Sequence, residues 1–329
     1  MPTITLPYKH DPSAGGPIPA HIHYSTTTSS SPTPTPKPII LIFHAGGFAA
    51  GSTNLIPQAQ IAHLTDTLNA VAIAPEYRLC PQVSLRAGPV ADAHACLAWA
   101  RETLPRALAA ETGGAVLADP ARVGVMGHSA GGMLALELGN AASPPSAILD
   151  FYGVKYLGDA FWGAPLASFA GMPDPDAGVR AKVYEEETIA VSAGAMFVDG
   201  RPDLKTPRSA WMIHAIKHGK LYEKCLRGPA SKDEDAGGEV DAKVVEEVEP
   251  TRGFKKSWPP TCFVHGTEDV FAPFSMAERA ERELKEKDAE VELIKVQGAG
   301  HVFDMALGKG DVMFESTVAP ALKWLVERV

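Results

Sequence analysis

Six consecutive residues, Gly127-His128-Ser129-Ala130-Gly131-Gly132, constrain this chain more than any other feature. They follow an apolar run at residues 122–126 and lead into residues 131–139, where Met133, Leu134, Leu136 and Leu138 follow a helical pattern. A serine between a buried strand and a helix, with glycine two positions away on either side, fits a sharp turn that lifts the hydroxyl clear of a sheet. Such a turn needs a strained backbone that only small neighbours tolerate, and the helix behind it aims N–H groups and a positive dipole end at any oxyanion formed there. Ser129 is therefore the candidate nucleophile.

The surrounding pattern says what carries this turn. Short continuous apolar runs at residues 39–43, 70–74, 123–126, 147–151 and 262–264 are rich in Val and Ile, as in strands covered on both faces. Helical patterns at 56–68, 90–103 and 131–139 separate them, so right-handed crossovers and a mostly parallel, doubly wound α/β sheet are expected. Residues 3–8 and 20–24 read as an opening hairpin or meander, and the Ser/Thr/Pro tract 25–38 as an exposed flexible turn. From 155 to 254 the alternation is lost among Gly, Pro and polar residues, which predicts an inserted cap on a core formed by 1–154 and 255–329. Within it the acidic stretch 231–250 reads as a solvated surface excursion. The strand and helix rhythm resumes after Trp258, with patterns at 277–286, 291–296 and 312–329.

A hydroxyl nucleophile needs a base, and the base needs an orienting acid. Asp269 follows the strand pattern ending at Val264, in the run His265-Gly266-Thr267-Glu268-Asp269; His301 follows residues 291–296, in Gly298-Ala299-Gly300-His301. Both then reach the C-terminal edge of the sheet, where open α/β sheets hold their sites, and the order Ser, Asp, His is one that a catalytic triad can take. His44-Ala45-Gly46-Gly47-Phe48 follows residues 39–43. The N–H groups of Gly46, Gly47 and Ala130 are the candidate oxyanion hole, because glycine has no Cβ to bar a substrate oxygen. Trp162, Phe197, Trp211 and Met212, in a segment the sheet does not need, are the candidate apolar pocket wall.

Composition narrows the classes. A chain of 329 residues with 45% hydrophobic and 21% charged residues can bury one large core. A net charge of −9 without a basic stripe argues against nucleic acid as partner. No apolar run is long enough to span a bilayer, and the first residues lack the order of a signal peptide, so a cytoplasmic protein is expected. Cys80, Cys96, Cys225 and Cys262 lack CxxC spacing and read as reduced thiols. His10, His21 and His23 read as surface residues, and His214 and His218 as lid histidines, since the Glu of HExxH is missing; neither metal nor cofactor is expected.

GHSAGG, HAGGF, APEYRL, HGTED and GAGH together resemble the α/β-hydrolase fold-3 group, which includes hormone-sensitive-lipase-like esterases. The resemblance covers most of the chain and implies the α/β-hydrolase fold. The group usually has Gly where Ala45 stands and Asp where His128 stands. His128 is similar to the elbow of kynurenine formamidases and feruloyl-esterase-like relatives. Glu76-Tyr77-Arg78 resembles the group's Asp-Tyr-Arg, which implies a scaffold role. The expected activity is hydrolysis of a carboxylic ester, a small acyl molecule being the partner. Amide or lactone hydrolysis, hydrolysis or cyclisation of a polyketide-type intermediate, and an inactive ligand-binding relative are the alternatives.

Overall fold

Every apolar run read as a strand lies, within a residue or two at its ends, in one eight-stranded sheet of the computed structural model, which describes residues 1–26, 34–198, 200–232 and 240–329. The strands are β1 (Thr3–Asp11), β2 (Gly16–His23), β3 (Lys37–Phe43), β4 (Val71–Pro75), β5 (Ala118–His128), β6 (Ala147–Phe151), β7 (Thr261–Gly266) and β8 (Val291–Val296). Their spatial order is β1-β2-β4-β3-β5-β6-β7-β8. β1 and β2 pair antiparallel, β2 pairs antiparallel with β4, and every pair from β4 to β8 is parallel.

The continuous apolar runs are explained by a core on each face. On β3, Ile39, Leu41 and Phe43 join one buried cluster while Ile40 and Ile42 join the other, the period-two alternation of a pleated strand. The first face is covered by α2 (Ala91–Glu102), α3 (Leu104–Glu111), α4 (Ala130–Glu137) and α7 (Phe274–Glu286), through residues such as Leu97, Leu108, Leu134 and Leu284. The second is covered by α1 (Gln58–Ala62) and α8 (Ala319–Glu327), through Ile61, Leu322 and Leu325. Between β6 and β7 lie α5 (Pro207–Lys217), α6 (Leu221–Arg227), short helices at Ala177–Ala181 and Ala242–Glu246, and a ribbon of Phe197–Val198 against Arg201–Pro202. Trp162, Val183, Trp211 and Val248 from this stretch enter the same cluster as α2, α3 and α4.

Three readings need correction. Lys37 and Pro38, placed in the flexible tract, are buried in β3, where Lys37 Nζ donates to Ser25 O at 2.7 Å; residues 27–33 of that tract are outside the described residues. The acidic stretch 231–250 is not wholly solvated: residues 233–239 are outside the described residues, but Val248 is buried and the Glu249 carboxylate accepts from the N–H groups of Tyr156 (3.1 Å) and Leu157 (2.6 Å). That carboxylate satisfies backbone donors that burial would otherwise orphan. His23 is buried rather than superficial, because β2 lies inside the sheet beside β4. Among the described residues no helix is long and apolar enough to cross a membrane, and all four cysteines are free and buried.

Candidate active site

The sheet register brings the site's segments to one edge. Phe43 lies opposite Gly127, Gly127 opposite Asp150, Phe151 opposite Val264 and Val296 opposite Gly266. The loops that begin at His44, Ser129, Tyr152, Thr267 and Gln297 therefore leave the sheet side by side.

Ser129 caps α4 with φ 54° and ψ −114°, and its N–H donates to Phe151 O at 2.9 Å. The flanking glycines are dictated by contact: a Cβ on Gly127 would lie 2.1 Å from Gly131 O, and one on Gly131 would lie 2.1 Å from Phe43 O. The turn is thus locked between β3 and α4, and the strained φ at Ser129 is held by its surroundings.

Ser129, Asp269 and His301 are brought together. His301 Nε2 is 2.9 Å from Ser129 Oγ, and His301 Nδ1 is 2.7 Å from Asp269 Oδ2. The other Asp269 oxygen accepts from Phe271 N at 2.8 Å and Ala272 N at 2.9 Å, while His265 Nε2 lies 3.2 Å from Oδ2. Burial alone would raise the Asp269 pKa, but hydrogen bonds from His265 and His301 outweigh it and hold the carboxyl well below the ordinary range. The neighbouring Glu268 is exposed. The His301 ring is stacked on Phe271 at 5.3 Å and meets the edge of Tyr152 at 4.9 Å.

The loop after β3 turns back on itself through Gly46, whose carbonyl accepts from Ala49 N and Ala50 N. Gly46 has φ 135° and Gly47 φ 58°, both in the region that favours glycine. No hydrogen bond within the described residues uses the Gly46 or Gly47 N–H, and the Ala130 N–H, in the first turn of α4, has no helical acceptor. Behind the loop, Tyr77 stacks on His44 at 4.2 Å and donates to its carbonyl at 3.0 Å, while Glu76 accepts from Thr53 N and Oγ1. Arg78 grips the fully buried Asp92 carboxylate through Nε at 2.9 Å and Nη2 at 2.7 Å. Glu76 and Tyr77 thus brace the loop from outside the site, while Arg78 ties their segment to α2. Burial lowers the His44 pKa to about 4, which keeps that imidazole neutral beside the loop.

Ser129 and His301 open into a cavity of about 860 Å³, large enough for a drug-sized molecule. Phe197 and Met212 line it, together with Ile216, Leu221 and Tyr222. Trp162 and Trp211 do not: Trp162 donates its indole N–H to Lys155 O, and Trp211 donates to the Tyr184 hydroxyl. Helix periodicity explains the difference on α5, since Met212 and Ile216 share a face and Trp211 is turned about 100° from Met212.

Sequence reasoning assigned no role to Phe271, His265, Gln60, Tyr152 and Asp304, which lie around Asp269, His301 or His128. Nearness in sequence to a named residue was a signal for three of them: His265 opens the HGTED run, Phe271 stands two residues beyond Asp269 and Asp304 three beyond His301. Elsewhere, Asp174, His214 and His218 offer ligand atoms within 4.8 Å of one another, but Lys217 Nζ already supplies a cation to the same carboxylate at 3.0 Å. None of these four lines the cavity.

Residues 40–157 match a family model described as alpha/beta hydrolase fold. The chain is 31% identical over 291 residues to the non-reducing polyketide synthase adrD of Penicillium rubens, covering 82% of this chain and 12% of that protein. It is 30% identical over 296 residues to methylphloroacetophenone synthase of Cladonia uncialis, covering 81% of this chain and 11% of the other. It therefore spans about an eighth of these relatives' length. A thermophilic esterase from Thermogutta terrifontis superposes with a TM-score of 0.59 at 21% identity, covering 99% of this chain and 92% of that one. A Staphylococcus aureus protein of unknown function superposes with a TM-score of 0.66 at 17% identity, covering 99% of this chain and 100% of the other. With its strand order, its strained serine turn and the match over residues 40–157, this chain has the α/β-hydrolase fold.

Proposed function

We propose that this chain is a serine hydrolase that cleaves a carboxylic ester through Ser129, His301 and Asp269. One observation carries the reading: the continuous line of contacts from Ser129 Oγ to His301 Nε2 at 2.9 Å and from His301 Nδ1 to Asp269 Oδ2 at 2.7 Å. An ionised Asp269 accepts the Nδ1 hydrogen, which leaves the Nε2 lone pair facing the serine hydroxyl. His301 takes the Ser129 proton as Oγ bonds to the acyl carbon, and the carbonyl electrons move onto oxygen. N–H groups of Gly46, Gly47 and Ala130 receive that oxyanion. When the C–O bond to the leaving group breaks, His301 returns the proton to it, giving an alcohol and an acyl-Ser129. Water, deprotonated by His301, repeats the sequence and releases the acid.

The segment 155–254 acts in this reading as a cap over a core of 1–154 and 255–329, its contribution being the apolar wall of Phe197, Met212, Ile216, Leu221 and Tyr222. A second reading concerns the acyl group. Two relatives that share 30–31% identity over most of this chain are named as non-reducing polyketide synthases, which favours release or cyclisation of a polyketide-type acyl ester or thioester. The cavity volume is compatible with such a group. The test is a mass-spectrometric screen of simple p-nitrophenyl esters, amides, lactones and aromatic polyketide-type thioesters, with wild type and Ser129→Ala side by side. Product formation by wild type alone supports the reading, and the preferred compound separates its two forms. Equal turnover by Ser129→Ala would overturn both.

A further inference from the structure

The loop that carries His301 contains an unfavourable backbone turn. Val302, next to the histidine, has φ 55°, a conformation that a β-branched residue adopts at a cost, and its side chain is 40% exposed, so its own packing does not hold the turn. Two residues further on, Asp304 is fully buried. Its Oδ2 accepts from Gln60 Nε2 at 2.6 Å and lies 3.1 Å from His128 Nε2, and its Oδ1 accepts from the Tyr152 hydroxyl. His128 Nε2 also lies 3.0 Å from Gln60 Oε1; facing two acceptors, this nitrogen must carry a hydrogen.

Two of these partners, His128 and Tyr152, define where Ser129 sits. His128 is the residue before the nucleophile. Tyr152 follows Phe151, whose carbonyl accepts the Ser129 N–H, and the Tyr152 ring touches His301. One carboxylate on the histidine loop is therefore bonded to both strand ends that hold the serine.

We propose that Asp304 is a positioning residue that fixes the separation of His301 and Ser129 by tying the histidine loop to His128 and Tyr152; the inference rests on the Ser129, His301 and Asp269 reading above. Among buried groups an unmatched donor or acceptor is costly, so this arrangement has few alternatives and holds the loop sharply. Asp304→Asn keeps the shape but removes the charge and replaces one acceptor by an N–H, so that either the Tyr152 hydroxyl must turn from donor to acceptor or the N–H must face the Gln60 and His128 donors. The histidine then shifts, and a displacement of about 1 Å in a catalytic group can cost about 10²-fold in rate.

The experiment uses a fluorophosphonate, which phosphonylates the serine directly, followed by intact-mass detection on wild type, Asp304→Asn and Tyr152→Phe. The rate constant reports the Ser129–His301 geometry, whereas the final labelled fraction reports how much protein is folded. We expect Asp304→Asn to lower the rate constant about 10- to 100-fold with nearly complete final labelling, and Tyr152→Phe to lower it less. For ester turnover, kcat should fall while KM moves little. Wild-type rate constants in both variants, with only Tm or labelled fraction reduced, would make Asp304 purely structural and overturn the proposal. Should Asp304→Asn fail to fold, a Tyr152→Phe rate equal to wild type would overturn it equally. A wild-type chain that is not labelled at Ser129 would remove the triad reading and this inference with it.

Discussion

The two sides of the cavity are made from different materials. On the side built from strand ends, backbone packs against backbone: a Cβ on Gly46 would come 2.0 Å from Ala50 O. On the side built from residues between β6 and β7, side-chain tips form the surface: a Cβ on the adjacent Gly47 would first meet Met212 Cε at 2.9 Å and Leu221 Cδ2 at 3.3 Å. Carbonyl groups in a closed turn cannot give way, whereas methionine and leucine ends can change rotamer. On the proposed function, reaction geometry resides on the rigid side and tolerance for different acyl groups on the adaptable one.

Substitutions should divide accordingly. Ser129→Ala should fold normally and lose about 10⁶ of kcat. Retention of esterase activity by the purified variant would break the rigid side of the account. Next in size, Asp269→Asn should lower kcat by up to about 10⁴ through the wrong His301 tautomer, while the exposed Glu268→Gln changes it little. Steady-state kinetics on the pair checks this, and a larger loss for Glu268→Gln would require another acid.

The glycine pair sharpens the contrast within one loop. Gly46→Ala should cost at least the roughly 10² in kcat expected of a displaced oxyanion donor, because its methyl group collides with a carbonyl. Gly47→Ala meets flexible side chains and should lose less, although its positive φ adds strain. Equal losses would mean that strain, not collision, sets both. On the adaptable side, Met212→Ala should shift the preference among acyl chain lengths with a smaller change in kcat on short esters. Trp211→Ala, by contrast, removes a core side chain and should cost about 3–5 kcal/mol in denaturant unfolding without changing that preference.

The smallest expected effect is on acid stability. Hydrogen bonds hold the folded Asp269 carboxyl well below the ordinary aspartate pKa of about 3.9, so its contribution is complete above that value and is lost as pH falls below it. Asp269→Asn should therefore show a shallower fall in Tm than wild type on acidification through this range. Parallel Tm profiles would assign acid sensitivity to other carboxylates.

The same contrast explains what could be read from sequence. Strands β3 and β5 were legible because both faces are covered and their apolar runs are continuous, and Ser129, Asp269 and His301 were legible because each stands at a strand end in a glycine-bearing motif. Met212 was chosen with Trp211 because both are large and apolar, but only the phase of α5 decides which one faces the cavity. Gln60, His128, Tyr152 and Asp304 converge from four separate elements, and no spacing along a chain announces such a meeting.

The most direct measurement of the central claim is rapid-quench intact-mass spectrometry with a slowly deacylating p-nitrophenyl ester, followed by peptide mapping. A serine hydrolase acting through this site should give a burst of about one p-nitrophenolate per chain and an acyl mass increment confined to the peptide bearing Ser129, absent from Ser129→Ala. Turnover without a covalent acyl species, or an acyl group mapped to another residue, would contradict it.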